Sequence, residues 1–473
     1  MEKTATILAI TLLLCLNGCH SIGKSDNSLP EPAPGFVTLQ DGHFAIDGEP
    51  WFPLMLNYCA DYRDGRIYPK PYYGGDNLKQ DFDTIAAWGF NAIRFCPHVE
   101  EGESDTAAIY VAMRKAILMA DSAGLRVMLL THPPDEGWWH DYTIGLLRRL
   151  SDIPTLWCYD LMNEPLYFDP EPQRRKEDAV AIVDGWRKMI RANAPHQLFT
   201  VATAEPIEVF EWDPSMLPVD FIEMHTYHPL RVKAEIWWYS HYCDKPWMVG
   251  ETGLPADNDS IPYTMQAQFL AETYRYAMDN GAIGYGWWGF QDNPKGYNFE
   301  AQYTGLRNRK GLRKPAAALI AQLDSGYKVS TPEFPCNYYN MLAYQNLSAT
   351  GTIVDTRGKP IEGAVVRGWN EDWSVGMNTY TDSNGQFHLV SNDICTHFEV
   401  SAPQFSKAKF NKTPHYQSDL SLPERTREYQ SIPLLGWGDT THILPVNAEL
   451  FSHTGKHSSD IGMIVLEKLI KDE

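Results

Sequence analysis

The sequence predicts an α/β chain, a (β/α)8 barrel followed by a small all-β sandwich of immunoglobulin-like type. Three observations carry that reading. Between about Val37 and Leu323, short apolar runs alternate with longer amphipathic segments, the rhythm of parallel βα units. Eight such apolar runs occur, the number that closes a barrel. Past about Tyr327 the pattern changes to short alternating runs punctuated by turn residues.

In chain order the strand runs are 52–56, 92–95, 126–131, 156–162, 199–202, 221–225, 247–250 and 283–288. Between them, 81–88, 107–123 and 177–193 place apolar residues at three- and four-residue steps, as amphipathic helices do. The barrel domain is expected over 37–327 and the all-β domain over 328–473. In the latter, two runs flank Arg357-Gly358-Lys359-Pro360, and Asn384-Gly385 gives a hairpin signal. The polar stretch 406–429 reads as a long loop. This region resembles the carboxypeptidase-regulatory-like domain, an accessory module, best over 348–400.

Ahead of the barrel, residues 1–19 read as an export leader. Met1-Glu2-Lys3 opens into an apolar run, Ala5 to Leu16, too short to span a bilayer. It closes as Leu16-Asn17-Gly18-Cys19, which resembles the bacterial lipobox, and the resemblance implies that Cys19 is acylated. Residues 20–36, rich in Ser, Pro and polar residues, serve as a tether. The expected location is the cell envelope, with the membrane touched only through the lipid.

The formal net charge of -20 argues against nucleic acid or an anionic surface as a partner. A monomer is expected. Of the cysteines, Cys59, Cys96 and Cys158 lie in or near strands and read as buried thiols, while Cys336 and Cys395 could bridge. Cysteine spacing matches no zinc pattern and no His or Asp cluster along the sequence has ligand spacing, and neither a metal nor another cofactor is expected.

Parallel barrels build their sites at the C-terminal strand ends. The fourth run closes as Leu161-Met162-Asn163-Glu164-Pro165 and the seventh as Trp247-Met248-Val249-Gly250-Glu251-Thr252-Gly253. Each leaves a carboxylate where the chain exits the barrel, and strands four and seven stand on opposing sides. Either Glu alone could cap the next helix. Two carboxyl groups facing one cleft are what glycoside hydrolysis needs, one to protonate the leaving oxygen and one to attack C1 or activate water. Further polar or aromatic residues recur at strand ends: Arg94, His132, Asn163, His225, Tyr227 and Trp288.

Those eight residues in this order resemble clan A glycoside hydrolases, most of all the cellulase-type family 5. The resemblance implies Glu164 as general acid/base, with a carboxyl that titrates high, and Glu251 as the ionised nucleophile of a retaining mechanism. It implies that Arg94 and Tyr227 hold Glu251, that Asn163 bonds the sugar 2-hydroxyl, and that His132 and His225 line the site. Trp288, rather than Trp287, would floor the sugar subsite. The implied substrate is a β-linked polysaccharide or oligosaccharide of mannan or glucan type, a β-glycan whose sugar and linkage the shared residues do not name. Aromatics at Tyr58, Tyr62, Tyr68, Tyr72, Tyr73, Trp138-Trp139 and Trp237-Trp238 are candidates for outer platforms. A carbohydrate-binding lipoprotein without chemistry would show one of the two Glu or Arg94 replaced, and none is.

Overall fold

The computed structural model describes residues 29–59, 75–97, 99–135, 137–164, 176–203, 217–227, 232–243, 245–294, 296, 299–323, 347–369, 376–391, 395–402, 405, 408–411 and 457–468. The leader with Cys19, together with Tyr62, Tyr68, Tyr72, Tyr73 and Cys336, lies outside them. No helix among the described residues is long and apolar enough to cross a membrane.

Eight parallel strands close a barrel: β4 (Leu54–Tyr58), β5 (Ala92–Phe95), β6 (Arg126–Leu130), β7 (Leu156–Asn163), β8 (Leu198–Thr203), β9 (Ile222–His225), β10 (Trp247–Glu251) and β11 (Tyr285–Trp288), which returns to β4. Every predicted strand is present, with ends displaced by at most two residues. The helices between them are α1 (Gly75–Ala87), α2 (Thr106–Ser122), α3 (Trp138–Leu150), α4 (Lys176–Asn193), α5 (Val232–Tyr242) and α6 (Tyr263–Asp279).

Helix α2 shows why the pattern folds this way. Asp105 caps it by accepting from the Ala108 amide at 2.9 Å. Ile109, Tyr110, Met113, Ala116, Ile117 and Ala120 recur on one face and are buried against the barrel. Gly124, at φ +78°, stops the helix, and the Leu125 amide returns to the Ala120 carbonyl at 2.9 Å.

An unpredicted antiparallel hairpin, β1 (Val37–Gln40) and β2 (His43–Ile46), seals the bottom of the barrel, with the short β3 (Glu49–Pro50) beside it. Phe44, fully buried, meets Trp157 and Phe221 with ring centroids 5.1 and 5.0 Å away. Met55, Ala92, Met128, Cys158, Leu198 and Met248 complete this apolar layer. The sequence does carry its signal, Asp41-Gly42, both at positive φ between alternating apolar residues.

One step toward the open end, strand alternation brings Asn57, Arg94, Asp160, Thr200 and Glu223 inward, all buried. Room for these side chains comes from glycine. A Cβ on Gly250 would run into the Glu223 carboxylate, and one on Gly286 into the Gly250 carbonyl.

The C-terminal residues form two sheets. One has the order β15 (Gln386–Ser391), β12 (Leu347–Asp355), β18 (His457–Leu466), the other β14 (Gly376–Tyr380), β13 (Val365–Trp369), β16 (His397–Ser401), β17 (Ala408–Asn411). Two readings are corrected here. The strands on either side of Asn384-Gly385 belong to different sheets, because β14 pairs with β13 and β15 with β12. The turn itself forms, with the Gly385 amide on the Asp382 carbonyl at 2.8 Å, but distant partners claim the outgoing strand. The stretch read as a loop contains β17, whose backbone pairs with β16 despite its polar sequence. Among the thiols, Cys96 and Cys158 are buried and free.

Candidate active site

Arg94 organises the mouth of the barrel. Its guanidinium is wholly buried and spends its donors on three strands, β4, β7 and β10. Nε and Nη2 reach Asp160 Oδ2 at 2.9 and 2.6 Å, Nη2 also reaches Asn163 Oδ1 at 2.8 Å, and Nη1 reaches Glu251 Oε1 at 2.5 Å and Asn57 Oδ1 at 3.1 Å. A rigid fork of donors suits this task as a flexible ammonium would not. Asn57 in turn donates to the carbonyls of Gly250 and Trp287, tying β4 to β10 and β11.

The Glu251 carboxylate receives Arg94 on one oxygen and the Tyr227 hydroxyl on the other. His225 Nδ1 stands 2.7 Å from Glu164 Oε1 and 3.5 Å from Glu251 Oε2. One oxygen of each Glu and a ring nitrogen of His225 lie within 4.8 Å of one another. Among the described residues this is the one trio with the spacing of a metal site.

Glu164 is at φ +43°, a left-handed conformation that residues with a Cβ rarely adopt. The Glu164 amide, bonded to the Ala202 carbonyl at 3.0 Å, holds it there. Strain of this kind collects where function fixes a side chain.

The electrostatics correct one expectation. Burial raises the Glu164 carboxyl, but the hydrogen bond and charge of His225, with Arg94 behind them, outweigh it and leave Glu164 below its ordinary value. Burial pushes Glu251 up, with His225 and Arg94 pulling back. For His225, burial alone would lower the ring, yet Glu251, Glu164 and Glu223 overcome it and raise it to about 10. The two shifts share one cause, the 2.7 Å contact between Glu164 and His225, so the pair titrates as a unit.

The network thus joins Arg94, Asn163, Glu164, His225, Tyr227 and Glu251. His132 is exposed after β6 and stacks on Trp139, centroids 3.7 Å apart at 26°. Trp288 pairs in register with Asn57, which pairs with Arg94, so all three share the inward face. Trp287 faces the other way, fully buried, its indole N–H on the Thr304 carbonyl at 3.1 Å.

Of the platform candidates, Tyr58 is buried and bonds Asp81 at 2.8 Å, Trp237 is buried, and Trp138 stacks on Tyr142 at 6°. These three serve packing. Asn57, Asp160 and Glu223 were not singled out from the sequence. Alternation was the available signal for Glu223, two residues before His225 on the same face.

Residues 64–294, just under half the chain, match the model of the cellulase family (glycosyl hydrolase family 5). Among solved structures the chain is similar to an exo-β-1,4-mannosidase from Opitutaceae bacterium strain TAV5, with 18% identity over 60% of this chain and 61% of that one and a TM-score of 0.50. The aligned part therefore spans about three-fifths of that protein's length. It is also similar to a GH5_18 protein from Streptomyces cattleya in complex with GlcNAc, at 17% identity, 64% and 84% coverage and TM-score 0.49. An endo-1,4-β-mannanase from Eisenia fetida shares 16% identity over 61% and 96%, with TM-score 0.42. No curated protein matches. At these identities the structural likeness shows the barrel fold, and the family match on that barrel supports a glycosidase.

Proposed function

We propose that the protein is a retaining glycoside hydrolase of the family 5 type that cleaves a β-linked polysaccharide or oligosaccharide by double displacement. The observation that carries the reading is the approach of Glu164 and Glu251 from opposing strands to within 4.8 Å, oxygen to oxygen. Retaining pairs stand about 5–5.5 Å apart and inverting pairs about 6.5–9.5 Å, which leaves room for a water. Glu251, oriented by Arg94 and Tyr227, attacks C1. Glu164 passes a proton to the leaving oxygen and then takes one from the incoming water. Asn163, its carbonyl oxygen fixed by Arg94, turns its amide nitrogen to the sugar 2-hydroxyl, and Trp288 supports the apolar sugar face.

The name of the Opitutaceae protein puts β-mannosides first among substrates, with β-glucans second. The test is hydrolysis of mannan, β-1,3-glucan, mixed-linkage glucan, xyloglucan and aryl glycosides, with product lengths and the anomer first released recorded by proton NMR. Release of the inverted anomer would refute the mechanism, and product lengths separate endo from exo action. Two further readings belong to this proposal. Cys19 carries a lipid that anchors the chain in the cell envelope, which palmitate labelling of wild type against Cys19→Ala tests. The two C-terminal sheets form an accessory sandwich that props the barrel, so that removing 347–473 lowers the unfolding temperature without changing which glycans are cut.

A further inference from the structure

We propose that Glu223 is a positioning residue for the Glu164 and His225 pair, its buried carboxylate holding the ring as an imidazolium with Nδ1–H turned to Glu164. The inference rests on the reading of Glu164 as acid/base. Three carboxylates surround one imidazole: on Nδ1, Glu164 at 2.7 Å and Glu251 at 3.5 Å, and on Nε2, Glu223 Oε1 at 3.8 Å. Ionised carboxylates only accept, so a ring with such neighbours on both nitrogens is accommodated best with both protonated.

Glu223 is fully buried, and neither of its oxygens has a hydrogen-bond partner among the described residues. Unpaired buried charge is costly by several kcal/mol, so Glu223 needs a cation nearby. Arg94 Nε, 3.4 Å away, supplies part of that charge, but Nε, Nη1 and Nη2 give their hydrogen bonds to Asp160, Glu251, Asn57 and Asn163. The other titratable groups packed around the pair are Asp160, Cys158, Glu251 and Tyr227, and none brings positive charge. Burial and the charge of Glu223 push the Cys158 thiol up, keeping it neutral. His225 is the second cation within reach, and its Nε2 has no hydrogen-bond partner among the described residues, which leaves it to face Glu223. Gly250 completes the device, since only a missing side chain there leaves space for the Glu223 carboxylate.

The effect is to strengthen the hold of the whole pair on its proton. Replacing the charge weakens that hold wherever in the pair the proton sits. The test uses the full chain and the near-isosteric Glu223→Gln, with Glu223→Asp as the charge-keeping control. Nitrogen-15 NMR of the ring, assigned by its loss in His225→Gln, should show both nitrogens protonated in the wild type at pH 8. In Glu223→Gln the ring should lose its proton at least one pH unit lower, a tenfold weaker hold. In kinetics the alkaline limb of kcat/KM should move to lower pH by a similar amount in Glu223→Gln and stay near wild type in Glu223→Asp. A neutral wild-type ring at pH 8, or an unmoved limb in folded Glu223→Gln, overturns the proposal. Should Glu223→Gln fail to fold, Glu223→Ser removes the same charge with a smaller side chain and is read in the same two ways. Because the ring titration needs no substrate, a protein that cleaves no glycoside yet shows the downward shift on loss of the Glu223 charge refutes the hydrolase reading and leaves the role of Glu223 standing.

Discussion

Arg94 Nη1 lies 2.5 Å from Glu251 Oε1, at the end of a guanidinium that also clamps Asp160 and Asn163. Lysine cannot reproduce that fork. Arg94→Lys should cut kcat by about 10²–10³, the magnitude of losing one preorganised donor. It should also cost about 3–5 kcal/mol of stability, because Asp160 and Glu251 lose a buried partner. Steady-state kinetics and urea unfolding measure both, and kcat within threefold of wild type would remove Arg94 from the mechanism.

The two carboxylates separate by role under chemical test. A 2-deoxy-2-fluoro glycoside with a good leaving group should trap a covalent adduct on Glu251, seen as a mass increment on the peptide that carries it. Glu164→Ala should lower turnover of natural glycans by orders of magnitude, while azide restores cleavage of activated substrates and yields the retained glycosyl azide. An adduct elsewhere, or full activity in Glu164→Ala, would reverse the assignment.

The barrel was legible because eight predominantly apolar strand runs alternate along the chain with longer segments, three of which show a clear helical period. The eight strand-end residues could be named because the site lies where strands stop. What stayed hidden depends on partners distant in sequence. Asp160 and Glu223 sit mid-strand, and only the closed barrel shows that one guanidinium and one imidazole neutralise them. The depressed Glu164 has the same origin, because the 2.7 Å contact with His225 joins residues 61 apart. In the C-terminal sheets the turn residues were read correctly as turns, and the pairing of the strands beyond them was set by long-range register.

Adjacent tryptophans on β11 should behave oppositely. Trp287, fully buried with its N–H bonded to Thr304, should cost about 3–5 kcal/mol as Trp287→Ala. Trp288→Ala should leave thermal unfolding nearly unchanged and raise KM or lower kcat tenfold or more. The reverse pattern would place the sugar floor elsewhere.

Stability should follow the titration of His225. Its ring is raised from 6.5 to about 10 in the folded state, so the charged form favours folding. That contribution is fully present below about pH 6.5 and fades as pH rises through about 10. The unfolding free energy of wild type minus that of His225→Gln, from urea curves at several pH values, should therefore shrink steadily between these limits. A difference that grows with pH would mean the ring is neutral in the fold.

Lys314 and Asp292 offer a test of how much a buried pair matters away from the chemistry. Lys314 Nζ bonds Asp292 at 2.7 Å and the carbonyls of Ala256 and Tyr303 at 2.9 and 2.8 Å, with its side chain fully buried. Removing one partner strands a buried carboxylate next to the chain leaving β11, so Lys314→Ala should cost about 3–5 kcal/mol. Lys79 and Asp83 are as close, at 2.6 Å, but about half exposed on successive turns of α1. Water already solvates both, so Lys79→Ala should cost at most about 0.5 kcal/mol. Double replacement of Lys314 and Asp292 by apolar residues should recover much of the single-variant loss, because the cost lies in the uncompensated charge. Equal losses for Lys314→Ala and Lys79→Ala in urea unfolding would show that burial does not govern these pairs.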